Sequence, residues 1–195
     1  MEEDLKIKFD QQTKDIYSAI GEFAVQFEHV CHYLKLIIMT ILAKEGLTKE
    51  RVLHVLLADY TAEPLRGLAL SLLNETQDLS QADKNIVKWI LNQVQTLTGK
   101  RNDVIHGTWF IGWAHHEDKE FKDAPGIKFH KNKNGASTKI FKWEKEDFST
   151  LTAEAVNLWN LLARLNGCLA GNFQIEKNFV VSPKGEIKLP KKMYE

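Results

Sequence analysis

Between Thr13 and about Lys44, the apolar residues Ile16, Ile20, Phe23, Phe27, Val30, Leu34, Ile37 and Ile41 recur in alternating steps of four and three. That spacing predicts a long helix with a coiled-coil type of seam, about 48 Å long at 1.5 Å per residue. Ala24, Cys31 and Ile38 widen the stripe. Asp10 or Thr13 suits its N-cap and Gly46 its end. Thr48 is placed to cap a short helix through about Leu57, and Thr61, with Pro64 in the first turn, opens another carrying Leu65, Leu68, Leu72 and Leu73. Ser80 with Asp83 resembles a capping box. The helix that follows shows Ile86, Ile90, Val94, Leu97 and Val104 on one face and ends at KRNDVIHG.

The period then changes. TWFIGWA (108–114) predicts a strand, and GIKFHKN and ASTKIFKW flank an Asn134-Gly135 pair, a strong hairpin signal. A small antiparallel sheet is therefore expected at about 108–143. After it, Phe148, Leu151, Ala155, Leu158, Leu162 and Leu165 mark a further long helix, ending near Gly167 or Gly171. SPKGE and LPKKMYE read as a turn and a loosely held tail. The expected architecture is all-α: one helical-bundle domain over 1–171, with the sheet inserted after the fourth helix, and a C-terminal tail over 172–195.

Composition narrows the function classes. The chain has 195 residues, 44% hydrophobic and 27% charged, with 26 basic and 26 acidic side chains, so no net field draws it to nucleic acid and any such contact must be local. The start, MEEDLKIKFD, lacks the apolar run of a signal peptide, and no uninterrupted apolar stretch is long enough to span a bilayer. A soluble, cytoplasmic protein without a membrane partner is expected. Cys31 and Cys168 sit inside apolar helical patterns, which favours buried free thiols over a disulfide or zinc ligands. No cofactor is implied. His115, His116, Glu117 and Asp118 include metal-ligand types, but adjacent loop residues rarely converge, so no metal site is expected.

The candidate chemistry lies in RNDVIHG. Read blandly, His106 favours the negative end of the helix dipole and Gly107 supplies a left-handed C-cap. Read for chemistry, Arg101 can clamp a phosphate, the His106 imidazole can take up and give back protons, and the Asn102 amide can orient either. At about 100° per residue Arg101 and His106 lie about 140° apart around the helix. Their convergence is therefore expected to need a bend at Gly107 or a second subunit. Together they suit metal-free cleavage of RNA, in which the ribose 2′-hydroxyl attacks the adjacent phosphorus.

RNDVIHG at the end of a long helix resembles the R-x4-6-H signature of the HEPN superfamily, including the polar residue after the arginine. The specific match covers about seven residues, and the helical layout supports it over roughly 13–170. The resemblance implies a helical bundle that dimerises to bring two motifs to one cleft, and a metal-independent endoribonuclease of the kind found in toxin–antitoxin pairs and phage defence. It implies Arg101 and His106 as catalytic, Asn102 as supporting, and an antitoxin or regulatory protein as partner. Some members are noncatalytic modules that bind a protein or nucleic acid, which is the alternative reading. Thr108 stands where one toxin subgroup carries a tyrosine that its nucleotidyltransferase antitoxin modifies.

Other residues contribute to the picture. The hairpin from Gly126 to Trp143 carries Lys128, Lys131, Lys133, Lys139 and Lys142 with no acidic residue, interleaved with Phe129, Phe141 and Trp143. These lysines are candidate RNA-binding groups; alternatively, the aromatics pack inward while the lysines protect a solvated edge. Trp109 and Trp113 are expected to anchor the sheet to the core. His29 and His32, off the main apolar seam of the first helix, read as surface histidines.

Overall fold

The computed structural model describes residues 2–112, 123–133 and 135–190. It is mostly helical, with α1 (Glu2–Lys44), α2 (Glu50–Leu57), α3 (Ala62–Thr76), α4 (Gln81–His106) and α5 (Lys145–Ala170). Between α4 and α5 lie β1 (Thr108–Trp109), β2 (Ala124–Asn132) and β3 (Gly135–Trp143), an antiparallel sheet in the order β1-β2-β3.

The apolar seam is buried from Ile16 to Ile41 except at Ile20, but α1 starts well before it. The stretch ahead of Thr13 holds neither glycine nor proline, so nothing stops helix propagation and Asp10 and Thr13 are interior positions rather than caps. The end matches Gly46: its amide bonds the Ala43 carbonyl and the Leu47 amide bonds that of Leu42, the paired closure of a Schellman turn. The end of α5 repeats it with Asn172 and Phe173, Asn172 taking the positive φ of 54°. α5 thus ends next to Gly171, as expected, with Asn172 rather than a glycine in the left-handed position.

Caps were the least accurate expectation. Thr48 does not cap α2, which follows Lys49, and Thr61 occupies the N-cap of α3 without a side-chain bond. Ser80 Oγ does accept the Asp83 amide at 3.1 Å, but the reciprocal half of the box is absent because Asp83 accepts the Glu176 amide instead, at 2.8 Å.

The chain divides into two compact units, Met1–Gln26 with Gly99–Glu154, and Phe27–Thr98 with Ala155–Glu195. The second has a core of Phe27, Leu34, Ile37, Leu65, Ile90 and Leu162, tied by Thr40 Oγ1 donating to Asn166 Oδ1 at 2.8 Å. Cys31 and Cys168 are buried there and are not joined in a disulfide, and His29 and His32 are exposed. The expected loose tail is organised as far as residue 190. Ile175, Phe179 and Ile187 are buried, and β4 (Val180–Val181) pairs with β5 (Ile187–Lys188) across the SPKGE turn. Residues 191–195 lie outside the described residues. Among the described residues, no helix is long and apolar enough to cross a membrane.

The first unit contains the sheet and the end of α4. Ile16, Phe23, Val104, Phe141, Phe148 and Leu151 are buried in it, and Lys145 pairs with Asp15 while Lys100 pairs with Glu154. The expected strand 108–114 is two residues long, followed by a Phe110 amide bond to the Pro125 carbonyl at 2.8 Å. Trp113, the His115–Asp118 cluster and Asn134 lie outside the described residues. In the hairpin, Asn132 pairs with Gly135, so Gly135 opens β3 at φ 119° rather than sitting within the two-residue loop, a backbone conformation that glycine alone adopts cheaply.

Candidate active site at the end of α4

Arg101, Asn102 and His106 occupy the last two turns of α4. Arg101 Nη1 lies 3.4 Å from His106 Nε2 and 3.4 Å from the Asn102 amide oxygen. The convergence needs neither a bend nor a second subunit, contrary to expectation: the long arginine side chain spans the angular gap within one helix. A guanidinium can only donate, so a hydrogen bond between the two would have Nε2 accept, in the tautomer with the imidazole proton on Nδ1. Both contacts are longer than an ordinary hydrogen bond. His106 is exposed and Arg101 half-buried, so these groups are not a buried polar pair.

The helix end is closed differently from the bland reading. Gly107 is not among the residues with positive φ; it is small for another reason, since a Cβ there would lie 2.6 Å from the Asp103 carbonyl oxygen and 3.3 Å from Trp109 Nε1. That approach lets the Trp109 indole donate to the Val104 carbonyl at 2.7 Å, one of the carbonyls left without an intrahelical partner. The Trp109 ring sits 5.2–5.6 Å from Phe141, Trp143 and Phe148, anchoring the sheet as expected.

The five hairpin lysines divide by face. Lys128 and Lys139 stand directly opposite each other, on the face that carries Phe141 and Trp143, and both reach Asp103. Lys128 Nζ lies 2.9 Å from Asp103 Oδ1 and 2.9 Å from the Asn102 carbonyl oxygen, and Lys139 Nζ lies 2.5 Å from Asp103 Oδ2. Lys139 Nζ also lies 4.8 Å from the centre of the Phe141 ring. Lys131 and Lys142 belong to the opposite face, and Lys133 to the loop. The aromatics divide too, because Phe129 points outward with 77% of its surface exposed. The inward-aromatic, outward-lysine alternation therefore fails at three positions.

Asp103 went unnoticed in the sequence. Desolvation raises its carboxyl pKa, and the hydrogen bonds from Lys139 and Lys128 outweigh that, holding it below the usual carboxylate range. The signal that could have found it is complementary charge: an acid-free hairpin rich in lysine needs a carboxylate partner wherever a lysine turns inward.

Chemically, the end of α4 offers a fixed cation, a lone-pair imidazole nitrogen and an amide within reach of one another on an accessible surface. Among the described residues, no three His, Cys, Asp or Glu side chains group as ligands for a metal. No family model, curated protein or solved structure matches the chain.

Proposed function

We propose that this chain is a metal-independent endoribonuclease of the HEPN type, working in a homodimeric cleft as a toxin or phage-defence component under an antitoxin or regulatory partner. The reading rests on one observation, the 3.4 Å approach of Arg101 Nη1 to His106 Nε2 at an exposed helix end. His106 Nε2 takes the proton of the ribose 2′-hydroxyl as that oxygen bonds to phosphorus. Arg101 stabilises the charge gathering on the phosphorane oxygens, and Asn102 holds the guanidinium in place. The P–O5′ bond breaks as the protonated His106 returns its proton to the leaving 5′-oxygen, and a 2′,3′-cyclic phosphate remains.

Incubation of purified protein with mixed cellular RNA in EDTA tests this, beside a folded Arg101→Ala/His106→Ala variant. Wild type alone should cut and leave 2′,3′-cyclic ends. Equal cutting by both proteins removes the chemistry from this site, and cutting by neither favours a noncatalytic binding module.

A further inference from the structure

The outer face of the β2–β3 hairpin carries Ile127, Phe129 and Lys131 from β2 and Ile140 and Lys142 from β3, with Lys133 at the loop. Phe129 is 77% and Ile140 68% exposed, and Lys131, Lys133 and Lys142 are exposed as well. Among the described residues, none of these three lysines has an ion-pair partner. No acidic residue occurs between Gly126 and Trp143. In a chain of zero net charge, this is a local patch of bare cations around an exposed ring and aliphatic side chains. Its two inward lysines are already committed to Asp103.

We infer that this outer face is a binding surface for single-stranded RNA, with Phe129 stacking on a base and Lys131, Lys133 and Lys142 contacting flanking phosphates. The inference deepens the ribonuclease reading and rests on it for RNA as the ligand. A polyanion complements the charge of these lysines, and a ligand with accessible π-faces suits the protruding ring. Unpaired bases meet both conditions, whereas a duplex hides its base faces in the stack. Thr108 of β1, two residues after His106, stands opposite Ile127. From that row Phe129 is about 7 Å along β2 and Lys131 about 13 Å, at about 3.3 Å per residue.

The test uses the full-length His106→Ala protein, which leaves RNA uncut under the ribonuclease reading, and fluorescence anisotropy with a labelled 12-nucleotide oligouridylate. Adding Phe129→Ala should weaken binding about tenfold or more. Lys131→Ala and Lys142→Ala should each reduce the slope of log affinity against log salt by about 0.7. A labelled RNA duplex of equal length should bind more weakly than the single strand. Three results each overturn the surface: no single-strand binding at low salt, unchanged affinity in the Phe129→Ala protein, or equal affinity for the duplex. A change in sedimentation without a change in RNA affinity overturns it too and makes the face an interface between copies. Since Phe129 is exposed, its loss leaves the fold intact, which circular dichroism verifies. Should His106→Ala still cut RNA, the catalytic assignment falls while the affinity comparison, repeated with an uncleavable 2′-O-methyl strand, still decides the surface.

Discussion

At the residue scale, Gly107 and Asp103 carry consequences that Arg101, Asn102 and His106 do not. A Cβ at Gly107 would lie 2.6 Å from the Asp103 carbonyl oxygen, closer than neighbouring atoms tolerate. Gly107→Ala should therefore destabilise the protein by about 1–3 kcal/mol, the range for overpacking, and urea denaturation measures it. Asp103 acts through charge. Its folded pKa is depressed, so its contribution is fully present above the unfolded value of about 3.9 and is lost as pH falls through the folded value. Asp103→Asn should cost about 1.5–3 kcal/mol, the range for hydrogen bonds to charged groups, mostly through Lys128, whose side chain is only 16% exposed against 53% for Lys139. Denaturation across pH should show a constant gap between wild type and variant from pH 9 to about 5, closing below pH 4. A gap unchanged in acid would mean that the carboxylate charge contributes nothing.

At the element scale, the long helices were legible because burial enforces their period: Phe23 through Ile41, Ile86 through Leu97 and Phe148 through Leu165 face cores and had to be apolar. Helix ends were less legible. A start such as that of α1 has no apolar period to mark it, and Thr48 and Thr61 show that a cap-forming residue type does not oblige a cap bond. The hairpin was legible as an element but not as a surface. Facing depends on register, and alternation alone could not reveal that Asp103 draws Lys128 and Lys139 inward, leaving Phe129 outside. Within the site, Arg101, Asn102 and His106 could be named from their types. Their approach could not, because helical angles describe Cα directions and ignore the reach of an arginine side chain.

At the scale of the whole molecule, the 3.4 Å contact joins Arg101 and His106 within one chain. In the proposed homodimer each subunit therefore owns a complete pair. Mixing Arg101→Ala subunits with His106→Ala subunits, after denaturation and joint refolding, should restore no RNA cleavage above either variant alone. Recovery of activity in the mixture would mean that the arginine of one subunit serves the histidine of the other.

Within the described residues β3 has a strand neighbour on one side only, which leaves backbone donors and acceptors along its other edge open to pairing. Two lysines, Lys139 and Lys142, flank Ile140 and Phe141 on that strand. Another copy docking edge to edge would bring lysine towards lysine, the repulsion that keeps exposed strands from adding onto one another. The cations assigned above to anchoring and to RNA thus also guard the protein against sheet extension, and screening them with salt or covering them with a polyanion relaxes that guard. Under the RNA-binding proposal the same charges would serve both roles, so a hairpin stripped of lysines to test RNA binding should become an adhesive edge.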